Sequence, residues 1–333
     1  MLDDAKHIQN VKNVLLAMQR HCWEQAEAEH ALTELGDTEL VIRMARETIN
    51  RRLPDGRVGV VSDGDERTVT DPCACGQAIR LAWEQTGDSL FRQAYERLLY
   101  WTLHDAPRSD RGILYHLTDS PEFWADSMYM LPPFLADAGE YEEAVRQFNG
   151  YWDALYDPAV ELLHTFWHDG EKKYLRDGIH RGIANGYAVI AVCRMYPLLP
   201  DSMKDEKAAL AQKARLLIDG MLRCMHEGGV FYDALDVPEG SFVAMNAAQM
   251  LAYGIYRGIQ LGWLGADYRK KADILRCEME RRVDDMGFVN DVCGAPTFRK
   301  PGNAPNGQSF YLLMQCAHRD FENMMHKQQE ERQ

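Results

Sequence analysis

Apolar positions recur every three to four residues along most of this chain. Val11, Leu15, Met18 and Cys22 keep that spacing, as do Leu40, Ile42, Ala45 and Ile49, and the period predicts amphipathic helices. Similar stripes run through 76–86, 90–103, 127–138, 141–155, 184–196, 206–225, 242–262, 267–283 and 307–321. Extended, alternating runs are short (58–61, 113–116 and 229–232) and lie between helical segments, so they read as loop ribbons and not as a sheet.

The punctuation repeats as well. LGDTELVIRMA (35–45), TGDSLFRQAYE (86–96) and AGEYEEAVRQF (138–148) each set a glycine and an acid between two helical stripes. Glycine suits the left-handed position after an outgoing helix, and Asp37, Asp88 or Glu140 suits the cap or first turn of the next. Gly36, Gly87 and Gly139 are spaced by 51 and 52 residues, the length of one helical hairpin. The junctions LLPDSMKDEKA (198–208) and LGADYRKKA (264–272) continue the pattern less regularly. Five junctions and a terminal pair predict twelve helices in six hairpins. A linear solenoid keeps a tighter repeat and needs polar caps. Here the long connections 52–70, 104–122, 158–182, 226–240 and 284–306 carry most of the Trp, His and Arg, which suits a ring whose loops gather over one cavity. The expected fold is therefore all-α, an (α/α)6 barrel forming a single domain over 1–333.

Composition narrows the function. With 37 Lys and Arg against 51 Asp and Glu, the net charge of −14 disfavours nucleic acid, anionic membranes and polyanionic polymers as partners. It leaves room for a small anionic ligand in a locally basic pocket. A 46% hydrophobic and 26% charged content is that of a globular protein and excludes extensive disorder. No run of apolar residues is long enough to span a membrane. The opening MLDDAKHIQ has acids where a secretion signal carries bases, so a cytoplasmic protein with eight reduced cysteines is expected. Cys73 and Cys75 form CxC without a second pair, and no HExxH spacing exists, so no metal or other cofactor is expected.

PEFWADSMYMLPPFLADAG (121–139) is the segment richest in candidate chemistry. Asp126 precedes an apolar helix, where the dipole stabilises a carboxylate, and it would serve equally as an ordinary N-terminal acid. Trp124 and Tyr129 beside it are aromatics of the kind that stack on sugar rings. Apolar surroundings would raise the Asp126 pKa toward acid catalysis. Asp71 holds a comparable place in TVTDPCACGQAIRLAWEQTGD (68–88), 55 residues earlier and so about one hairpin away. The two acids read either as a divided acid–base pair or as two equivalent helix caps. His116, His164 and His168 lie in the inter-hairpin loops with Trp124 and Trp167, the makings of a polar, aromatic ligand site. In HRGIANGYAVIAV (180–192), Arg181 and two glycines precede an apolar helix, an anion site or a glycine loop with a solvated arginine. GxSxG, P-loop and dinucleotide fingerprints are absent.

These segments, taken in order, resemble the unsaturated rhamnogalacturonyl hydrolases of glycoside hydrolase family 105, relatives of the family 88 unsaturated glucuronyl hydrolases. WADSMYMLPPFLADAGEY resembles the family's W-x-D-x-x-(Y/F)-M-x-x-P-F-(L/Y)-A. DPCACGQAIRLAWEQTGDSLF is similar to its D-x-x-x-x-G-x-x-L-x-x-x-(Y/W)-x-x-T-G-D. HCWEQ looks like the W-x-Q-G opening of its first hairpin, RGIANGY like its R-G-N-G-W loop, and 238–264 like its C-terminal E-x-S-x-x-A-M motif. The resemblance implies an (α/α)6 barrel that removes a 4,5-unsaturated uronic acid from the non-reducing end of lyase-generated fragments, most simply disaccharides. Asp126 would protonate the vinyl ether at C4 and help water add at C5, with Asp71 orienting the ring or the water. Trp23, His116, Trp124, Tyr129, His164 or His168, Arg181, Asn185 and Tyr187 would hold substrate in a monomer or small homo-oligomer, and no metal would be needed.

The chain departs from the family pattern in two places. With Asn185, Gly186 and Tyr187 aligned on the family's Asn-Gly-Trp, its arginine position falls on Ile183, and Glu239 is displaced by one residue. Two other functions share the same fold class. A sugar 2-epimerase would use a histidine pair drawn from His164, His168 and His180, and a non-catalytic carbohydrate-binding barrel would bind its ligand without turnover although both aspartates are present.

Overall fold

The structure is a computed structural model describing residues 2–61, 65–295 and 298–331. The chain forms two compact units. Residues 19–159 and 163–180 make one, and residues 1–18, 160–162 and 181–333 the other. Among the described residues there are fourteen α-helices. The first is α1 (Leu2–Met18). The unit containing residue 19 holds α2 (Cys22–Leu35), α3 (Thr38–Asn50), α4 (Asp71–Ala74), α5 (Gly76–Thr86), α6 (Ser89–His104), α7 (Ser127–Met130), α8 (Pro132–Asp137) and α9 (Tyr141–Leu155). The other adds α10 (Gly182–Met195), α11 (Lys204–Arg223), α12 (Asn246–Gln260), α13 (Arg269–Glu280) and α14 (Pro305–Glu330).

The predicted hairpins are present. Within the unit containing residue 19, α2 packs on α3, α5 on α6 and α8 on α9; within the other, α10 packs on α11, α12 on α13, and α1 on α14. Gly36, Gly87 and Gly139 all take positive φ (80°, 68° and 85°), closing the helix before each turn. Asp37 and Asp88 then accept the Leu40 and Leu90 amide N–H groups as caps. Glu140 sits at the same position without a side-chain cap bond. Helices α2, α10 and α12 are buried almost all round, whereas α3 and α13 bury one face.

Local chemistry overrides periodicity at three places. The stripe joining Met18 to Cys22 is broken, because His21 turns extended and exchanges capping bonds with α2, Glu24 accepting the His21 N–H at 3.1 Å. The predicted helix 127–138 splits at Leu131 into α7 and α8, where Pro132 and Pro133 supply no amide donors. The predicted helix 242–262 begins only at Asn246, since Val243 bridges to Tyr232. The extended runs form no named strand. Instead β1 (Glu122–Trp124), β2 (Phe166–His168) and β3 (Lys173–Tyr174) make an antiparallel ribbon in the order β1-β2-β3, with Trp124 opposite Phe166 and Trp167 opposite Tyr174. Two- and three-residue strands are too short to show a period.

All eight cysteines are free thiols and six are buried. Burial pushes the Cys73 thiol up to about 12, the behaviour of a small apolar core residue. Among the described residues, no helix is long and apolar enough to cross a membrane.

Candidate active site

The loop leading to Asp71 is fixed from below. Arg57, packed over the Trp101 ring at 5.1 Å, donates from Nη1 to the Glu66 and Thr68 carbonyls at 2.6 and 2.8 Å. The Val69 N–H then donates to the His116 carbonyl and the Thr118 N–H to the Arg67 carbonyl, both at 2.8 Å. Two connections far apart in sequence are thereby laid side by side. Asp71 opens α4, Asp126 directly precedes α7, and α4 packs on α7.

His116 joins the two acids' neighbourhoods. Its Nδ1 lies 3.0 Å from the Thr70 hydroxyl and 3.0 Å from the Ser127 hydroxyl, and those hydroxyls are 3.1 Å from each other. Thr70 adjoins Asp71 and Ser127 adjoins Asp126, so one buried hydroxyl–imidazole triangle anchors the residue next to each carboxylate. His116 Nε2 is 3.9 Å from Asp71 Oδ1. Burial lowers the His116 pKa to about 3, so the ring is neutral near pH 7 and makes a polar contact, not an ion pair.

Asp71 is buried, and its pKa is raised well above the usual carboxylate range. Burial is the largest cause, followed by the charges of Asp126 and Asp65. Burial and neighbouring acids together hold Asp71 toward its protonated form, a device that sets one carboxyl apart from the others. Asp65 is a further acid, buried like Asp71. Its Oδ1 is 2.9 Å from His21 Nδ1, and that hydrogen bond is the chief cause of a raised His21 pKa. His21 in turn lies parallel to Trp23, with ring centroids 6.1 Å apart. A cleft of about 730 Å³ opens beside this end of the cluster, lined by His21, Arg20, Arg43 and Arg51 among others, and not by Asp71 or Asp126.

An aromatic wall stands on the other side. Trp124 lies flat on His116 with ring centroids 4.0 Å apart, its Nε1–H donates to Glu122 at 2.7 Å, and the Phe166 ring stands nearly perpendicular to it with centroids 4.8 Å apart. The Arg176 guanidinium packs 4.2 Å from the Phe166 ring centre and 5.9 Å from that of Trp124. Arg176 has φ of +53°, a conformation costly for a residue other than glycine and found where the surroundings impose it.

Tyr129 corrects the expectation of a second sugar-stacking wall. It is 1% exposed, and its hydroxyl pairs with His30 Nδ1 at 2.6 Å while His30 Nε2 bonds the Ala74 carbonyl. The carbonyl can only accept, so Nε2 carries the proton and the tyrosine donates. Tyr129 ties α7 to α2 and to the end of α4.

The histidines of the next connection separate. His168 Nδ1 accepts the Glu171 N–H at 3.0 Å and so closes the turn between β2 and β3. His164 lies beside His180 and Asp157, its ring 4.2 Å from that of His180. In the other unit Arg181 is committed to a buried acid: its Nε donates to both Asp233 oxygens at 3.0–3.1 Å, and its Nη2 to the Phe298 carbonyl at 2.7 Å. Asn185 is buried and donates back to the Arg181 carbonyl, and Tyr187 packs edge-on against Phe310. These three residues start and pack α10. Ile183, at the family's arginine position, is buried with them.

The chain matches the glycosyl hydrolase family 88 pattern over residues 13–309. It belongs to that family. It is 25% identical over 240 residues to the unsaturated rhamnogalacturonyl hydrolase YesR of Bacillus subtilis, a match covering 66% of this chain and 64% of that protein. Two solved structures share its fold over nearly the whole chain. A family 105 glycoside hydrolase of C. acetobutylicum superposes with a TM-score of 0.79 at 18% identity, covering 95% of this chain and 99% of the other. A possible family 105 member from Salmonella enterica serovar Paratyphi A gives 0.82 at 18% identity, covering 96% and 94%. The helical fold of these enzymes is the all-α class expected from the hairpin repeat.

Within this family 88 chain, five residues of the cluster escaped sequence reasoning: His21, Asp65, Thr70, Ser127 and Arg176. Asp65 sits in DGDERTVTD (63–71), where acids are too frequent for one to stand out. Thr70 and Ser127 carried a usable signal, since each is a hydroxyl residue adjacent to a proposed catalytic acid. Arg176 had none, because only the fold brings its guanidinium against Phe166 and Trp124, distant in the chain.

Proposed function

We propose that this family 88 chain hydrates the 4,5 double bond of an unsaturated uronic acid at the non-reducing end of a short lyase-generated oligosaccharide, with disaccharides as its main substrates. The observation that carries the reading is the carboxylate cluster at the α4–α7 contact, in which burial of Asp71 and the charges of Asp126 and Asp65 hold Asp71 toward its protonated form. Asp126 donates a proton to C4 of the vinyl ether and then takes one from the water that adds at C5. The resulting hemiketal opens, releasing the aglycone sugar and a 4-deoxy-5-keto uronate. Asp71 orients the water or the ring. Trp124, stiffened by His116 and Phe166, supplies a flat apolar face for the sugar. Arg176 is the cation that packs against this wall, and we assign it to the uronate carboxylate in place of Arg181, whose guanidinium holds Asp233. The net charge of −14 and eight free thiols support a cytoplasmic enzyme that consumes imported fragments.

The test follows the ultraviolet absorbance of the conjugated enol ether on disaccharides made by lyases from pectic, glycosaminoglycan and ulvan-type polymers. Loss of absorbance on one of them, abolished in Asp126→Asn with the fold intact, is expected. Turnover that survives in Asp126→Asn overturns the assignment.

A further inference from the structure

We infer that Asp157, His164 and His180 form a binding site for one divalent transition-metal ion of the zinc class. One ligating atom of each residue lies within 4.8 Å of the other two. Asp157 Oδ2 is 3.6 Å from His164 Nε2 and 3.7 Å from His180 Nε2. Those separations are too long for hydrogen bonds. They are close to the distance of about 3.4 Å between two ligands of a tetrahedral ion whose bonds are about 2.1 Å long.

The surroundings orient two of the three donors, His164 and Asp157. His164 Nδ1 donates to the Gly178 carbonyl, which can only accept, so the lone pair of this ring sits on Nε2, the atom facing Asp157. A metal-bound histidine ordinarily makes this second bond, to a carbonyl or a carboxylate. Gly178 takes φ of +69°, and a Cβ there would come within 3.3 Å of the His164 ring, so glycine lets the carbonyl reach it. Asp157 spends Oδ1 on the Ala159 N–H at 2.8 Å and turns Oδ2 to the imidazoles. The backbone is pinned on both sides, by the His164 N–H on the Leu155 carbonyl and the Thr165 N–H on the Ile179 carbonyl. Tyr174 covers His164, ring centroids 3.6 Å apart. Two imidazoles and one carboxylate select zinc, cobalt or nickel over magnesium or calcium, which prefer oxygen alone. The inference goes beyond the proposed hydration and needs no substrate for its test.

The experiment strips the full-length chain with a chelator and titrates it with zinc ion alone by calorimetry, and separately with cobalt ion in the visible region. One ion per chain is expected, with cobalt d–d bands and no thiolate charge transfer. His180→Gln and Asp157→Asn, each checked by circular dichroism, should each weaken zinc at least about tenfold. Two variants guard against one that fails to fold. Absence of zinc binding to the parent chain overturns the inference. So does affinity unchanged in both folded variants, or cobalt spectra dominated by thiolate bands.

Discussion

His116 and Trp124 lie face to face, ring centroids 4.0 Å apart and planes within 10° of parallel. The pairing makes the imidazole a support for the aromatic wall, and the Thr70 and Ser127 hydroxyls hold its far edge. A neutral, buried histidine thus positions both a proposed sugar platform and the residues beside two carboxylates.

That burial has a measurable pH signature. With a folded pKa of about 3 against an ordinary 6.5, His116 takes up its proton on unfolding, so its contribution is whole above pH 6.5 and lost progressively as pH falls toward 3. Urea denaturation of the parent chain should lose about 2 kcal/mol from this group between pH 7 and about pH 5. His116→Gln should lack that component. Equal pH dependence in the two proteins would show that His116 titrates normally in the folded chain.

Asp71 has the opposite sign. Its folded pKa is raised, so its contribution is whole below the ordinary carboxylate value and is lost as pH rises through the folded one. Asp71→Asn cannot ionise. Its melting temperature should exceed the parent's by about 2–4 °C on the alkaline side while activity falls roughly a hundredfold or more. Calorimetry across pH with a parallel absorbance assay checks both halves.

Arg176→Ala should raise KM about tenfold or more with a smaller change in kcat, as expected for loss of a group that binds substrate carboxylate in ground and transition states alike. Arg176→Lys should recover only part of the loss, because an ammonium cannot make the paired bonds of a guanidinium. An unchanged KM in Arg176→Ala would remove this residue from carboxylate recognition.

Tyr129→Phe tests a structural role. The change leaves His30 Nδ1 buried without its hydroxyl donor and should cost about 1–3 kcal/mol in urea denaturation, with kcat close to the parent's. A large loss of kcat at undiminished stability would return Tyr129 to the substrate site.

The sequence by itself determined the helical hairpins and the glycines and aspartates that close and open them, and it singled out Asp71, Asp126 and Trp124 as candidates. Helix period, left-handed glycine and side-chain caps depend on neighbours within about four residues, so Gly36–Asp37 and Gly87–Asp88 declare themselves locally. Tertiary structure decided what the long connections do, because their meeting depends on packing between residues distant in the chain. Nothing local to Arg181 announces Asp233, 52 residues on, and nothing local to Tyr129 announces His30. Asp65 became part of the cluster only when Arg57 clamped its loop, and Asp157, His164 and His180 converge because backbone bonds fold 155–180 on itself. Burial of Asp71, which raises its pKa, exists only once those distant segments have closed over it.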